Sequence, residues 1–577
     1  MAPTNNGDGA RGILYQIAAC GETRRFRFWR VRLETPSLQP LVPVLQDAGN
    51  FHPSAMLKSP SVPNRIHTSN VAIAASDSEL LKSLGLFDAS MIVAGSMIGS
   101  GIFIVSAGIA RQVGSPVLLL VVWLMSGLMT AMAALCYGEL AAAMPIAGGE
   151  YIFLRESLGP LWGFLYGWTT LLVIQTATIA AVAIAFANFT GVLFSRISSA
   201  AWIWKLGTFG PYKMAFGALG PYEVGLNTQN LLAISSIVFL TWMNTRGLRT
   251  GAWVQNVFTV AKIAALSGLT LLGFAFATQA ARNSNFSNFW RNARFSELHS
   301  YQAGQDTVCV GVLTLVGLAM VGALFSSSAW TNVTYIASEV RNPKRNLPLA
   351  LVLGTGIVTV LYVLANFAYL NMLPLVGTPD GGSVLARGIQ FANGDRVGAA
   401  VAEAIVGPSG AVLVAVAVMI STFGCNNGLI LAGARVYYAM AKDGVFFESV
   451  GNVNRRNTPS IALWVQCIWA CVLCLSGTYG QLLEFLVFAV VMFYMLTVLG
   501  LFMLRFRRPD MERPYRVLGY PVLPGFYVLL ALFLEVQLLR YKPQYTWPGL
   551  LIILSGVPVY WLWRRSQGAS ARRISGR

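Results

Sequence analysis

The chain has 577 residues, 55% of them hydrophobic and only 11% charged, and its mean hydropathy is +0.60. Soluble domains carry about 25% charged residues, so this composition excludes a soluble globular protein of that length. The net charge of +18 does not indicate a nucleic-acid binder, because the basic residues are scattered through loops and gather on no single surface.

Residues 1–83 stand apart. TRRFRFWRVRL (Thr23–Leu33) is basic and aromatic, and PSLQPLVPVL and KSPSVPN are rich in proline. This composition predicts a disordered cytoplasmic tail whose basic residues suit anionic lipid. Its early apolar stretch is too short and too interrupted for a signal peptide. From Leu84 about twelve apolar runs follow, near 86–111, 115–140, 158–192, 229–246, 251–276, 308–338, 346–372, 400–440, 460–477, 481–505, 522–540 and 546–563, enough to cross a hydrocarbon core of about 30 Å as helices. The eighth is too long for one straight span and is expected to include a helical cytoplasmic extension. The runs predict an all-α membrane domain over 84–565 and a short cytoplasmic tail over 566–577. Seven cysteines without paired spacing suggest no disulfide framework. Cys467, Cys471 and Cys474 share one apolar run, where thiols act as small apolar side chains.

Charge sets the orientation. With a cytoplasmic N-terminus, the inside segments hold Arg246 and Arg249, Arg341, Lys344 and Arg345, Arg455 and Arg456, Arg505 through Arg516, and the Arg-rich C-terminus. That places about 29 Lys/Arg inside and about 11 outside, which predicts both termini in the cytoplasm and an even number of spans.

Two spans are interrupted. The first contains GSMIGSGIF (Gly95–Phe103), where Gly95, Gly99 and Gly101 weaken a helix, at about 1 kcal/mol for each interior glycine. The sixth contains ALFSSSAWTN (Ala323–Asn332), with three consecutive serines. The breaks lie five spans apart, as corresponding helices of two inverted halves of five would. Freed backbone groups at mid-membrane depth are tolerated where they line a cavity and bind something. Freed N–H groups at a half-helix N-terminus suit a carboxylate, and freed carbonyls suit an ammonium group. An α-amino acid carries both on adjacent atoms. The competing reading of the first break is helix packing, since Gly95 and Gly99 form a GxxxG pair.

These motifs, with GGEYIFLRESLGPLWGFLYGW (Gly148–Trp168), VQNVFTVAKIAAL (Val254–Leu266), ASEVRNPKRNLPLAL (Ala337–Leu351) and STFGCNNGLILAGARVYYAMAKDG (Ser421–Gly444), occur in one order. In them the chain resembles the amino acid–polyamine–organocation transporters, and among these the L-type and bacterial sodium-independent amino acid exchangers. The resemblance covers residues 84–510 well, the last two spans loosely and the N-terminal tail not at all. It implies a five-plus-five inverted repeat with broken first and sixth helices, two additional C-terminal helices, and alternating access around a central site.

The resemblance also implies roles. Ser100 and Gly101 offer N–H groups to a substrate carboxylate. The carbonyl of Met97 takes the ammonium, helped by those of Phe325 and Ser328. Phe325 stands where relatives carry an aromatic gate, against a plain packing role. The family often has glycine where this chain has Ser328 and Ala329, whose extra atoms narrow the pocket. Thr331 and Asn427 stand where relatives place side chains near the ligand, or else satisfy neighbouring helices. Lys262 lies deep in the fifth span, where a charge costs several kcal/mol unless solvated or paired. Snorkelling toward the cytoplasm is the bland account. The resemblance implies instead that its ammonium replaces a sodium ion and braces the broken first helix, which makes transport sodium-independent and leaves exchange and proton coupling open. Glu339 and Arg341 are expected in an inner gate, against simple topological anchoring. Glu484 and Glu535 receive no role, and Glu139 and Glu150 flank the site region in sequence only.

No HExxH, GxSxG or Walker pattern occurs, and His52, His67 and His299 lie outside the spans. An enzyme, an ATP-driven pump, a metal and a cofactor are therefore not expected. The expected function is secondary transport of neutral L-amino acids across the cell membrane, because no acid is evident among the pocket positions. The alternatives are a cationic amino acid or polyamine transporter and a non-transporting amino acid sensor. The heavy-chain partner of animal L-type relatives needs a cysteine in the loop after the third span. Residues 193–228 contain none, so no disulfide-linked heavy chain is expected, while homo-oligomerisation stays open.

Overall fold

The protein is described from a computed structural model, which covers residues 82–575 except 211, 215–216, 220–221, 247, 304–305 and 477–478. The N-terminal tail expected over 1–83 lies outside the described residues up to residue 81. The first span is two helices, α1 (Leu86–Met97) and α2 (Gly101–Val113). α2 ends on Gly114 at φ 57°, and α3 (Pro116–Ala143) begins on a proline. A left-handed glycine after one helix and a proline at the first position of the next is the sequence chemistry of a tight helix–helix turn. A short helix α4 (Glu150–Ser157) precedes α5 (Pro160–Leu193), which carries a π-turn at Thr170–Ile174.

The chain continues through α6 (Thr228–Asn244), α7 (Leu248–Ala275), the short α8 (Gln279–Phe286), α9 (Val312–Ser326) and α10 (Asn332–Tyr335). The second half holds α11 (Pro343–Met372), α12 (Val397–Val406), α13 (Pro408–Lys442), α14 (Ser460–Ser476), α15 (Tyr479–Arg507), α16 (Val522–Tyr541) and α17 (Pro543–Ser575). Among the described residues, nine helical segments are long and apolar enough to cross a membrane, and α9, α12 and α14 are shorter apolar helices. This is the all-α membrane fold expected from the sequence.

Several boundaries differ from expectation. The eighth run is not one helix with an extension. It breaks at Gly407, at φ 74°, between α12 and Pro408 at the start of α13. Glycine relieves the left-handed backbone and proline restarts the helix. Helix α17 runs on to Ser575, past Arg565 where its apolar stretch ends. The loop after the third span folds into antiparallel hairpins, β1 (Trp202–Phe209) with β4 (Tyr222–Asn227) and β2 (Tyr212–Met214) with β3 (Gly217–Leu219). A third hairpin, β5 (His299–Ala303) with β6 (Asp306–Val310), precedes α9.

Burial separates centre from rim. In the most apolar stretch of α1–α2, 94% of residues are buried inside the protein, against 33% in α16 and 28% in α17. The broken first span is therefore central, and the last two helices present apolar faces outward, as lipid-facing helices do. The loops that the charge count assigns to one side also meet one another. Arg508 pairs with Glu156 at 3.0 Å, Lys344 with Glu512 at 2.8 Å, and Asn454 donates to the Thr245 carbonyl at 2.9 Å. At the other end, Arg111 pairs with Asp395 at 2.7 Å and Asn285 donates to the Leu370 carbonyl at 2.7 Å.

Candidate functional site

The first break is narrower than the glycine pattern suggests. Helix α1 closes on Ile98 and α2 opens on Gly101, with Ser100 as its N-cap. Gly95 lies within α1. A β-carbon there would collide with Thr259 and Gln255 of α7, so Gly95 is a packing glycine that lets α7 approach. Gly99 is in the break, and a β-carbon would come 3.4 Å from the Cys425 sulfur. Packing thus accounts for Gly95, while Gly99 lies at the interruption.

The carbonyls released at the end of α1 are occupied by three neighbouring helices. Lys262 Nζ, on α7, donates to the carbonyls of Gly95 and Ile98, the latter at 2.8 Å, and to Ser421 on α13 at 3.4 Å. Lys262 is 1% exposed. Its charge is met by carbonyl dipoles inside the protein and does not snorkel. Ser421 Oγ donates to Ile98 at 3.1 Å, and Cys425 Sγ to Ser96 at 3.1 Å. From α11, Tyr362 donates to Met97 at 2.9 Å and reaches the Ser326 carbonyl at 3.2 Å. The carbonyl of Met97, expected to take a substrate ammonium, is thus already hydrogen-bonded by the protein. At the other half-helix, the first-turn N–H groups of α2 have no intrahelical acceptors by construction. Gly101 faces the sixth span directly, and a β-carbon would stand 2.7 Å from Ser326 Cβ and 3.1 Å from its Cα.

The sixth span stops at Ser326 and resumes at Asn332, so its break is Ser327–Thr331. Ala329 sits at φ 66°, a conformation that costs an L-residue about 1–2 kcal/mol and glycine nothing. That explains why glycine suits this position in the family the sequence resembles. Phe325 is buried in the last turn of α9. Its carbonyl accepts the Ser328 N–H at 3.0 Å and the Ser328 hydroxyl at 2.7 Å, so it too is engaged. Thr331 hydrogen-bonds Tyr335 at 3.3 Å. Asn427 Oδ1 accepts from Asn244 on α6 at 2.9 Å, a contact between neighbouring helices.

Glu339 and Arg341, expected in an inner gate, have different partners. Glu339 Oε1 accepts from Arg435 Nε of α13 at 2.9 Å, with both side chains buried. Arg341 is exposed and contributes its backbone N–H to Leu84 at 2.8 Å. The carbonyl of Glu339 accepts the N–H groups of Ser83 and Leu84 at 3.0 and 3.1 Å, stitching the chain ahead of α1 to the chain after the sixth span. Asp443, bonded by Tyr151 at 2.6 Å and by Arg155, closes the same end. At the opposite end a cavity of about 730 Å³ reaches Ile104 and is lined by Asn188, Trp202, Glu223 and Asp395.

Between these ends the sixth-span break borders two chambers of about 20 Å³ each, measured as space open to the centre of a water-sized sphere. That holds about one water, far less than an amino acid would fill. One chamber joins Ser328 and Thr331 to Gln175, Thr178, Tyr335 and Glu150. Glu150, whose position the sequence left unknown, therefore lines the same chamber as Ser328 and Thr331. Glu150 lies between spans in the sequence, yet α4 folds it against the unwound sixth span.

Tyr362 and Arg435 also escaped the sequence reading, although a tyrosine or arginine within an apolar run must find partners. Tyr362→Phe removes a hydroxyl that reaches both broken helices. The single hydroxyl proton is shared between the two carbonyls, and losing that bond at about 1.4 kcal/mol is expected to lower uptake about tenfold while the protein still inserts. Uptake rates normalised to surface protein check this.

Two broken membrane helices, packed against each other and braced by a buried lysine, are an arrangement shared by many secondary transporters. The sequence pattern described as "Amino acid permease" matches residues 84–561, and the chain belongs to that family. It is 30% identical over 498 residues to the b(0,+)-type amino acid transporter 1 of Mus musculus, covering 86% of this chain and 91% of that one. It is 31% identical over 485 residues to the large neutral amino acids transporter small subunit 2 of Mus musculus, covering 84% and 81%. The human form of the latter is 31% identical over the same length. These relatives support amino acid transport as the activity.

Proposed function

We propose that this permease moves neutral L-amino acids without sodium, by exchange or proton coupling, with both termini in the cytoplasm. The observation that carries the reading is the Lys262 ammonium among the carbonyls of Gly95, Ile98 and Ser421. A monovalent cation would seek the same oxygen cage, and the ammonium fills it. The carboxylate of the substrate meets the N–H groups of Ser100 and Gly101 at the head of α2. Its ammonium meets the Ser328 carbonyl, and reaches those of Met97 and Phe325 only by displacing one of the two hydrogen bonds each already accepts. Ser328 and Thr331 border the side chain, Phe325 closes the path toward the wide cavity, and Glu339 with Arg435 closes the other end. Asn427 braces α6 against α13. The names of the relatives support amino acids, and one of them large neutral amino acids. No covalent heavy-chain link is proposed, since residues 193–228 lack cysteine.

A second reading, a cationic substrate, is favoured by one observation, the Glu150 carboxyl at the chamber. A panel of radiolabelled neutral and cationic amino acids in proteoliposomes, with and without internal substrate, separates the two. Uptake of neutral amino acids stimulated by internal substrate is expected. Uptake confined to cationic ones would replace the first reading with the second. Specific binding without flux would make the protein a sensor.

A further inference from the structure

The buried carboxylates of this protein fall into two kinds. Glu139 is held by Arg505 at 2.6 Å and by Arg513 at 3.5 Å, and Glu339 by Arg435 at 2.9 Å. These are matched charges. Glu150 is 0% exposed, yet the groups around it are hydroxyls and apolar side chains. From α3 the Tyr137 hydroxyl donates to its Oε1 at 2.5 Å, and from α15 Thr497 donates to the same oxygen at 3.4 Å. Tyr166 of α5, Tyr335 of α10 and Tyr494 of α15 stand around the same chamber, with Leu429 of α13. None of these is a lysine, arginine or histidine. Oε2 has no hydrogen-bond partner.

A buried carboxylate without a cation is costly, and the group neutralises instead by taking up a proton. Burial pushes the Glu150 pKa up to about 7, while the hydroxyls of Tyr137, Tyr166 and Thr497 pull it down. The carboxyl also shares its chamber with Ser328, Ala329 and Thr331 of the unwound sixth span. Tyr166 and Tyr335, hydrogen-bonded to each other, link that segment to the surroundings of Glu150. Opening the sixth span toward water would therefore change the solvation of this one acid. The matched pairs at Glu139 and Glu339 keep their cations either way.

We propose that Glu150 is the proton-binding residue of the transport cycle, neutral when the chamber is closed and ionised when the sixth span opens it to water. One proton from water on the loading side adds to the carboxylate and leaves to water on the release side, and no other bond changes. This rests on the transport reading above and names an acid, where the sequence left proton coupling open at Lys262.

The sign follows from the raised pKa. Above about pH 7 the closed chamber must hold an unpaired carboxylate, so uptake falls as pH rises. Initial rates in proteoliposomes at equal pH on both sides, from about pH 5.5 to about 8.5, give the profile. Glu150→Gln is permanently neutral and should flatten it. Tyr137→Phe removes a bond that stabilises the ionised form and should move the midpoint to higher pH. Glu535→Gln is the control, because Glu535 is the other buried carboxyl with unpartnered oxygens, both of them, among the described residues. A wild-type profile retained in Glu150→Gln would overturn the proposal, as would a flat profile in Glu535→Gln alone. If Glu150→Gln fails to insert, an unmoved midpoint in Tyr137→Phe overturns it. If Glu150→Gln loses uptake of cationic amino acids while neutral uptake keeps its pH profile, the residue recognises substrate and the proton role is wrong. Wild-type vesicles without uptake at any pH would sink the transport reading itself, a result distinct from all of these.

Discussion

Lys262→Ala is expected to lower amino acid uptake at least ~100-fold while leaving the protein inserted. The ammonium donates to Gly95 and Ile98 of α1 and to Ser421 of α13, so it fixes the unwound end of the first span against the eighth. Hydrogen bonds to a charged group contribute about 1.5–3 kcal/mol each. Losing them leaves three carbonyls facing a hole, and about 3 kcal/mol corresponds to ~100-fold in rate. Lys262→Arg should recover little. A guanidinium is a wide planar fork, and this cage of carbonyls is shaped around a compact head. Uptake measured per inserted molecule, with thermal stability alongside, decides the matter. Full activity in the arginine variant would return Lys262 to an anchoring role.

Gly101→Val is expected to abolish binding, with affinity reduced ~100-fold or more. Two effects act in the same direction. A β-carbon would press on the Ser326 side chain and backbone, and overpacking of that kind costs about 1–3 kcal/mol. A β-branched residue also stiffens the first turn of α2, whose N–H groups are the proposed carboxylate site. The structure alters the physical cause inferred from sequence, because contact with the sixth span joins the loss of space for a carboxylate. Scintillation binding to detergent-purified protein, with Gly99→Ala as the milder comparison, checks it. In that variant the β-carbon meets the Cys425 sulfur at an ordinary 3.4 Å, and binding should survive. Unchanged affinity in the valine variant would remove backbone recognition from this site.

Fold class was legible because apolar runs of membrane length carry their own signal, and because glycines and serines inside two of them are costly without a purpose. Exact break positions were not. Gly95 and Gly99 look alike in sequence, but one packs on α7 and the other unwinds, and only the neighbouring helix distinguishes them. Side-chain destinations were harder still. Asn427 meets Asn244, and Glu339 finds Arg435 while Arg341, two residues away, turns to solvent. Such pairings depend on rotation of helices about their axes, which no local pattern encodes. Glu150 was hidden for a related reason. It precedes a span in the chain, and the fold of α4 carries it inward beside Ser328 and Thr331. The split at Gly407–Pro408 could have been read from the sequence, since that dipeptide ends one helix and starts another.

The central claim is that the Lys262 ammonium occupies the place a sodium ion would take. The most direct test is the initial rate of radiolabelled neutral amino acid uptake into proteoliposomes of the unmodified protein, in sodium buffer and in choline buffer of equal ionic strength. Equal rates are predicted. Uptake stimulated by sodium would contradict the account, because the volume bounded by Gly95, Ile98 and Ser421 cannot hold both cations.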